Sequence, residues 1–214
     1  DETRGNGTIC LAVTPKMKSL GVKNRCRRFE IPKNIHYIVA KPRMQKYIDY
    51  AAEIYGIYLD YMDKQDIYVY SIDESFIDAT DYLQIYGKTP KEYAKMLIGE
   101  IAKRTHIPAT AGIGTNLYLA KIALDITAKK CLDRIGYLDE QIFRETLWTH
   151  RPITDFWGIA KGIANRLAKK GIYDMQTITK CPEEILYKEF GVNAELLIDH
   201  AWGYEPCTMA AIKA

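Results

Sequence analysis

Short apolar runs of the kind that form strands are scattered through the first half of the chain. They are three to seven residues long, and turn-forming or charged residues lie on either side of them. The runs are Thr8–Thr14, Ile35–Ala40, Ile67–Ser71, Ser75–Ile77 and Ala109–Gly114. Each is too short for a helix, so the pattern predicts strands at these places.

Helical spacing occupies the stretches between several of these runs. Apolar residues recur every three or four positions from Pro42 to about Tyr61. Thr89, followed by Pro90, is typical of a helix start, and this helix should end near Thr105. Asn116 should begin another helix that ends near Lys130. The resulting order of helix, strand, strand, helix, strand, helix favours an α+β fold with helices on one face of a largely antiparallel sheet.

The pattern changes after Gly136. From Glu140 to the end no strand pattern is found, only short helical stretches interrupted by glycine and proline. We therefore predict a domain boundary near residues 137–150 and an all-helical second part.

Composition narrows the class of protein. The 214 residues are 48% hydrophobic and 27% charged, which is ordinary for a globular protein. No apolar run approaches the roughly 18–20 residues that cross a bilayer. The first five residues, 1–5, are polar and do not resemble a secretory leader. We expect a cytoplasmic protein with no membrane partner.

The cysteines and histidines show no metal-binding or disulfide pattern. The five cysteines are dispersed without a CxxC pair, and the four histidines lack metal-ligand spacing. We expect reduced thiols, with no disulfide framework and no zinc site.

The distribution of charge is more informative than its sum. The net charge of +3 merely permits phosphate-bearing partners. Basic residues crowd into 16–46 and 161–170, whereas acidic residues gather at 60–81. Solvated faces explain such runs equally well, so charge alone does not decide.

The segment Tyr70–Asp78, here called the acidic hairpin, holds two adjacent carboxylates between apolar runs. We predict that Asp73 and Glu74 lie at or near a β-hairpin bend. Carboxylates beside a core need a neutralising cation, and Mg²⁺ prefers such oxygen ligands. Asp78 is expected to cap or pair locally, and Ser71 to serve strand packing. A surface turn would also contain such a pair, so the dipeptide alone identifies nothing.

The letters around the pair carry a family resemblance. YSIDESFIDAT resembles the metal-binding motif of the Y-family, or translesion, DNA polymerases. The resemblance implies that Asp73 and Glu74 are catalytic residues and metal ligands. A second segment, Ala111–Ala123, here called the strand–helix segment, is similar to a family segment followed by a lysine that reaches the incoming triphosphate.

That lysine cannot be assigned by register alone. Counting from Leu119-Ala120-Lys121 places it on Ala128, one residue before Lys129. The resemblance therefore implies nucleotide binding by Lys129, with Lys130 as the alternative, and by Lys121 within the segment itself. Exposed helix lysines without a ligand are the competing interpretation.

Two further segments, one on each side of these motifs, add to the resemblance. Ala12–Val22 is similar to the family's fingers, which implies a triphosphate contact from Lys18. Pro15 and Lys18 stand where many members have tyrosine and arginine, a departure that resembles the UmuC-like ImpB/MucB/SamB branch, of the UV-damage-repair type in Gram-positive bacteria.

The segment Phe156–Leu167, here called the glycine hairpin, looks like a DNA-binding helix-hairpin-helix. The resemblance implies that DNA phosphate is contacted by Gly158, Ala160, Lys161 and Gly162. A basic cluster follows, formed by Arg166, Lys169 and Lys170, and it should strengthen the local field without reading sequence.

Together these segments imply a fold and a domain plan. The fold would be α+β, with a partial ferredoxin-like palm and a small fingers portion, followed by an all-helical thumb. The domains would be 1–45 for fingers and an adjoining palm strand, 46–138 for palm, and 139–214 for thumb. The implied function is lesion-bypass DNA synthesis in DNA repair, with Mg²⁺, a DNA primer-template and dNTP, and a sliding clamp bound through a C-terminal region beyond this chain.

The family resemblance also indicates what this chain lacks. Family members begin with an apolar strand that bears a metal-binding aspartate, whereas Asp1 and Glu2 are the only acidic residues before Glu30 and sit in a polar segment. We expect a fragment truncated at both ends, with weak Mg²⁺ binding and no primer extension. The alternatives are a non-catalytic DNA-binding accessory module and a nucleotide-cyclase-like domain.

Overall fold

The computed structural model describes residues 5–213. Asp1 and Glu2, expected to be poor metal ligands, lie outside the described residues. The chain divides into two compact units, Asp1–Asp49 and Tyr50–Ala214. The division falls within a long helix, α2 (Met44–Leu59).

The first unit contains little regular structure. Its elements are α1 (Pro15–Ser19), a 3-10 turn (Arg28–Glu30) and the start of α2 (Met44–Leu59). The Thr14 hydroxyl accepts a hydrogen bond from the Met17 N–H at 3.3 Å and so caps α1.

Two strand predictions in the first unit are wrong. Within Thr8–Thr14 there is a single antiparallel bridge, from Ile9 to Arg27, and Ile35–Ala40 forms no strand. A strand needs a partner ladder and a face to bury, but Ile38 is 93% exposed. A run of apolar residues therefore does not form a strand without a partner strand and a buried face.

The strands of the second unit form two separate pairs. β1 (Ile67–Ser71) and β2 (Glu74–Ile77) are antiparallel, whereas β3 (Ala111–Gly114) and β4 (Ile135–Leu138) are parallel. The mixture of helices and strands is confirmed. The single, largely antiparallel sheet that was predicted is not found among the described residues. β4 was not predicted, because a four-residue strand directly after a loop shows no hydrophobic periodicity.

Two helices follow the first strand pair: the one predicted from Thr89 to about Thr105 is confirmed, and the shorter one before it was not predicted. α3 (Thr80–Ile85) and α4 (Pro90–Thr105) follow the first strand pair. At the start of α4 the Thr89 N–H donates to the Glu92 carboxylate at 2.9 Å, and the Glu92 N–H donates to the Thr89 hydroxyl at 3.3 Å. This reciprocal cap fixes where α4 begins.

The helix predicted from Asn116 to Lys130 changes pitch along its length. It starts as α5 (Leu117–Ile122), widens into a π-helical turn (Ala123–Thr127) and tightens into a 3-10 turn (Ala128–Lys130). A Cβ at Gly112 or Gly114 would collide with the backbone of Ala120 in α5. Glycine in β3 therefore lets the strand lie directly against this helix.

The remainder of the described chain is helical, as predicted. Its α-helices are α6 (Glu140–Thr146), α7 (Lys161–Ala168), α8 (Met175–Thr179), α9 (Glu183–Phe190), α10 (Asn193–Trp202) and α11 (Met209–Lys213). Two 3-10 turns, Lys64–Asp66 and Ile153–Asp155, complete the second unit. Across residues 5–213, no helix combines the length and apolar character that a bilayer crossing requires.

The main hydrophobic core of the second unit joins α5 and β4 to α6–α10. Its buried side chains extend from Tyr118 to Ala201, and a smaller cluster surrounds Tyr93 and Leu97. The main core thus includes residues on both sides of the boundary expected near 137–150. The three-domain plan remains a prediction.

Candidate active site

The acidic hairpin turns where the sequence predicted. Ile72 and Asp73 form a two-residue turn, and Glu74 begins β2 opposite Ser71. Asp73 is exposed, and its carboxylate accepts a hydrogen bond from the Ser71 hydroxyl at 2.8 Å. Ser71, expected only to pack in the strand, therefore orients Asp73. Asp78 caps locally as expected, because its carboxylate accepts from the Thr80 N–H at 3.1 Å.

Glu74 makes a two-pronged ion pair with Lys121 of α5. The Lys121 Nζ lies 2.9 and 3.0 Å from the two carboxylate oxygens of Glu74, and 3.1 Å from the Asp125 carboxylate. The Lys121 side chain is only 9% exposed, and the Glu74 and Asp125 side chains are each 32% exposed. Burial alone would lower the pKa of Lys121, but the hydrogen bonds and charges of Glu74 and Asp125 outweigh it and raise the pKa. Lys121 is therefore held as a cation.

The local sequence explains why Lys121 faces the hairpin. The Asn116 side chain accepts from the Leu119 N–H at 2.8 Å, which starts α5 directly after β3. Asp125 follows Lys121 by four residues, so both lie on the same face of the helical segment. The contribution of Asp125 was not predicted, although this i,i+4 spacing of opposite charges was a readable signal.

An aromatic contact joins the glycine hairpin to the acidic hairpin. The Trp157 Nε1–H donates to the Tyr70 hydroxyl oxygen at 3.1 Å, and the two rings meet edge to face at 5.8 Å. The Lys121 Nζ lies 5.8 Å from the centroid of the Tyr70 ring. Three segments that are distant in sequence thus meet at Tyr70.

A cavity of about 640 Å³ opens beside this ion pair. Its lining comes largely from β2, α4, β3 and α5, and includes Glu74 and Lys121. In the described part of the chain, β2 pairs only with β1 and β3 pairs only with β4. The cavity therefore separates two strands that each have an unpaired edge.

The other predicted nucleotide-binding lysines are exposed. Lys129 and Lys130 are exposed on the 3-10 turn that follows α5. Within residues 5–213, Lys129 forms no ion pair with Asp73 or Glu74. Lys18 is exposed on α1 in the first unit. The roles of these lysines remain predictions.

The glycine hairpin presents a helix start to solvent. Gly158 has a φ of +88°, a backbone conformation that favours glycine, and Ile159 is buried behind it. Ala160 is the N-cap of α7 and supplies no side-chain cap, so the first N–H groups of Lys161 and Gly162 have no partner among the described residues. Such a helix start is suited to binding an anion.

Part of the basic cluster after the glycine hairpin is neutralised. The Glu189 carboxylate lies 2.8 Å from the Arg166 Nε and 3.0 Å from the Lys170 Nζ. These two partners lower the pKa of Glu189 to about 2. Lys161 and Lys169 remain exposed. Sequence analysis did not find this role of Glu189, because it lies in the next helix but one.

The acidic hairpin offers part of a metal-binding donor set. Asp73 and Glu74 supply the hard carboxylate oxygens that Mg²⁺ prefers. Between Gly5 and Lys213, no group of three or more histidine, cysteine, aspartate and glutamate side chains is arranged to hold a metal ion. The two carboxylates fit a magnesium site in chemistry but do not complete one.

Known proteins resemble the chain over most of its length. The model of the impB/mucB/samB family matches residues 2–125. The chain is 33% identical over 95% of its length to a putative UV-damage repair protein UvrX of Bacillus subtilis, and 34% identical over 96% to DNA polymerase IV 2 of the same organism. It covers 48% and 50% of these two proteins, so it spans about half of their length.

A solved structure shares the fold. The structure of a Y-family DNA polymerase chimera (Dbh-Dpo4-Dbh) matches with a TM-score of 0.76 and 23% identity. The match covers 96% of this chain and 59% of that chain. The match shows that the two chains share a fold of mixed helices and strands.

Proposed function

The chain belongs to the impB/mucB/samB family, and we propose that it is part of a Y-family DNA polymerase that copies damaged template DNA. The observation that carries the proposal is the contact of Glu74 with Lys121 beside the cavity. It brings the acidic hairpin and the strand–helix segment to one place. Both segments were assigned to the same active site on sequence resemblance alone.

In this proposal the acidic hairpin supplies catalytic carboxylates. Asp73 and Glu74 are the metal ligands, with Ser71 orienting Asp73 and Lys121 orienting Glu74. Mg²⁺, when bound by such carboxylates, supplies activation of the primer 3′-oxygen and charge neutralisation at the triphosphate. Lys121 contacts both carboxylate oxygens of Glu74. These contacts restrict the conformations of the Glu74 side chain before a metal ion binds.

Positive charge is the second requirement of triphosphate binding. We assign this role to Lys18 in the fingers portion and to Lys129 after α5, both of which are exposed. Lysine provides a compact charge without the planar fork of arginine, so these contacts would neutralise charge more than they fix geometry. The dNTP is the proposed ligand, and a DNA primer-template is the proposed macromolecular substrate.

The cavity between β2 and β3 supports a proposal about the palm sheet of the whole protein. A further apolar strand of the whole protein, bearing the missing metal-binding carboxylate, would fit between these two unpaired strand edges. Backbone pairing on both sides would join the two strand pairs into one ferredoxin-like sheet. Glu74 lines this cavity, so a carboxylate on that strand would stand near it.

The helical part that follows is proposed as the thumb. Its glycine hairpin would form a helix-hairpin-helix in which the N–H groups at the start of α7 receive a DNA phosphate. Gly158, Ala160, Lys161 and Gly162 would make this contact without reading base sequence. Contact with a sliding clamp is assigned to a C-terminal region of the whole protein.

Primer extension by the whole protein to which this chain belongs tests the proposal. We expect Mg²⁺-dependent extension on intact and abasic templates, and a loss on the order of a hundredfold or more in Glu74→Gln. Asp81→Asn, which changes an exposed acid on α3, should retain activity and serves as the control. Absence of extension, or equal activity of Glu74→Gln and the unaltered protein, would refute the assignment.

A further inference from the structure

Two cysteines of the first unit lie opposite each other on neighbouring backbone segments. The Cys10 N–H donates to the Cys26 carbonyl at 2.8 Å, and the Arg28 N–H donates to the Thr8 carbonyl at 2.9 Å. These bonds frame the antiparallel bridge between Ile9 and Arg27. Cys10 follows Ile9 and Cys26 precedes Arg27, so the two cysteines are opposite each other and their side chains project from the same side of the pair.

The separation of the two cysteines suits a disulfide. Residues directly opposite each other in an antiparallel pair have Cα atoms about 4.5–5.5 Å apart. Disulfides span Cα separations of about 4.4–6.8 Å. Burial raises the pKa of the Cys26 thiol, and the neighbouring Cys10 raises it further. Both residues are free and partly exposed.

The remaining cysteines have different surroundings. The thiols of Cys131, Cys181 and Cys207 are each directed at a nearby backbone carbonyl oxygen, at 3.5, 3.7 and 3.6 Å respectively. In the described part of the chain, Cys10 and Cys26 are the two cysteines whose backbones are joined by a hydrogen bond.

We propose that Cys10 and Cys26 are a dithiol site that forms a reversible intramolecular disulfide. The co-reactant is a low-molecular-weight disulfide such as oxidised glutathione. One cysteine thiolate attacks its S–S bond, a mixed disulfide forms, and one glutathione thiol leaves. The second cysteine thiolate then attacks the mixed disulfide and releases the other glutathione. Two protein thiols lose two electrons and two protons in total, and the oxidant is reduced to two thiols.

The bond would close a loop that carries the whole of α1. Residues 10–26 include Lys16 and Lys18, which are exposed on that helix. The backbone is already paired at both ends of this loop, so closure requires no rearrangement of the segment. The cross-link removes conformational freedom from the opened loop and so favours its folded form. This inference does not rest on the proposed polymerase function.

Peptide mapping of the 214-residue chain tests the site. The protein is equilibrated with oxidised glutathione, its free thiols are blocked with N-ethylmaleimide, and it is digested with trypsin without reduction. We expect the peptide that ends at Lys16 to be linked to the peptide that begins at Cys26, with the other cysteines alkylated. Dithiothreitol should remove the link. Under native conditions, tryptic cleavage after Lys18 should be at least roughly tenfold slower in the oxidised chain.

Matched variants separate this site from general thiol reactivity. Cys10→Ser and Cys26→Ser should stop at the mixed disulfide and lose the protection, whereas Cys181→Ser should retain both link and protection. The proposal is overturned if Cys10 and Cys26 remain separately capped by glutathione or unreacted. It is also overturned if other cysteine pairs are linked in equal yield. The map of the unaltered chain decides even where a serine variant does not fold.

Discussion

The Lys121 Nζ lies 2.9 and 3.0 Å from the two carboxylate oxygens of Glu74, although the two residues are far apart in sequence. The pair ties the acidic hairpin to α5, and Asp125 holds the same ammonium group from the helix side at 3.1 Å. A nearly buried cation thus stands between two partly exposed carboxylates. The contact links β2 to α5, the helix that follows β3, although β2 and β3 share no hydrogen-bonded edge.

Removing the cation should destabilise the second unit. In Lys121→Met, Glu74 and Asp125 keep their charges without a partner, and we expect a loss of about 2 kcal/mol in the free energy of unfolding, less than for a fully buried pair. Urea unfolding measures it. Lys91→Met breaks an exposed ion pair with Asp133 and should leave the unfolding midpoint unchanged. Equal effects of the two variants would contradict the structural role of Lys121.

Divalent metal binding by this chain should be weak. Glu74 is already paired with Lys121, and Asp73 is an exposed turn residue, so we expect Mn²⁺ dissociation constants of roughly 1 mM or weaker. Water-proton relaxation with Mn²⁺ as the Mg²⁺ analogue measures this affinity. Asp73→Asn should reduce it further, whereas Asp133→Asn should not. Micromolar binding that survives Asp73→Asn would place the metal elsewhere.

The hairpin at Asp73 could be predicted from sequence because its signal is local. Two apolar runs flank a charged turn, and the structure has the bend there. The reciprocal cap of Thr89 and Glu92 is equally local and was predicted as a helix start. In contrast, the strand predicted at Ile35–Ala40 is wrong, since among residues 5–213 no strand pairs with this segment and Ile38 is 93% exposed.

The site itself depends on contacts that a sequence does not display. Lys121 was assigned to nucleotide binding, but no periodicity could show that it pairs with Glu74 in another element. The contact of Tyr70 with Trp157 is likewise long-range. Sequence spacing could have revealed only Asp125, four residues after Lys121. The segments of the site were therefore predictable, and their mutual contacts were not.

Stability should fall in mildly acidic solution because of His200. Its Nε2 lies 3.0 Å from the Glu205 carboxylate, and its ring stacks on Tyr118 at 3.9 Å. Burial lowers the pKa of His200, and this outweighs the opposing effect of Glu205. The neutral form is therefore favoured in the folded state. That contribution is present above the unfolded pKa near 6.5 and is lost as the pH falls through the lower folded value.

Unfolding measured between about pH 8 and pH 5 checks the effect of His200. The slope contributed by one such group cannot exceed about 1.4 kcal/mol per pH unit. His200→Gln, which can still donate to Glu205, should flatten the profile, whereas His36→Gln on the exposed surface should leave it unchanged. A profile that is flat in the unaltered chain would show that His200 is not the titrating group.

A methyl group at Gly162 should impair DNA binding without harming the fold. A Cβ at Gly162 or at Gly99 would meet no other atom within 4 Å, and both residues lie in helices. Alanine at either position should therefore preserve or slightly raise stability. If DNA phosphate approaches the start of α7, Gly162→Ala should raise the dissociation constant for a labelled primer-template roughly tenfold.

Gly99→Ala is the matched control for that experiment, because α4 lies outside the glycine hairpin. Fluorescence anisotropy at low ionic strength measures both variants, and the unaltered chain should show weak, salt-sensitive and sequence-independent binding. Indistinguishable affinities for Gly162→Ala and Gly99→Ala would remove the glycine hairpin from the DNA interface.

Neutralising Glu189 should strengthen DNA binding. Its carboxylate engages both Arg166 and Lys170, and these partners hold its pKa at about 2. Since the pKa is lowered, Glu189 stays ionised at any pH above that value, and mild acid cannot release the two cations. Its stabilising effect is lost only as the pH falls from the usual value of 4.5 towards 2. Substitution is thus the way to free Arg166 and Lys170 for phosphate.

We expect Glu189→Gln to lower the dissociation constant for DNA several-fold at low salt and to steepen the salt dependence by about one phosphate contact. Glu184→Gln provides the same change of net charge from an exposed position on the same helix, α9. If the two variants bind DNA equally well, the gain reflects overall charge. A gain confined to Glu189→Gln identifies Arg166 and Lys170 as phosphate-binding cations that the folded chain holds partly neutralised.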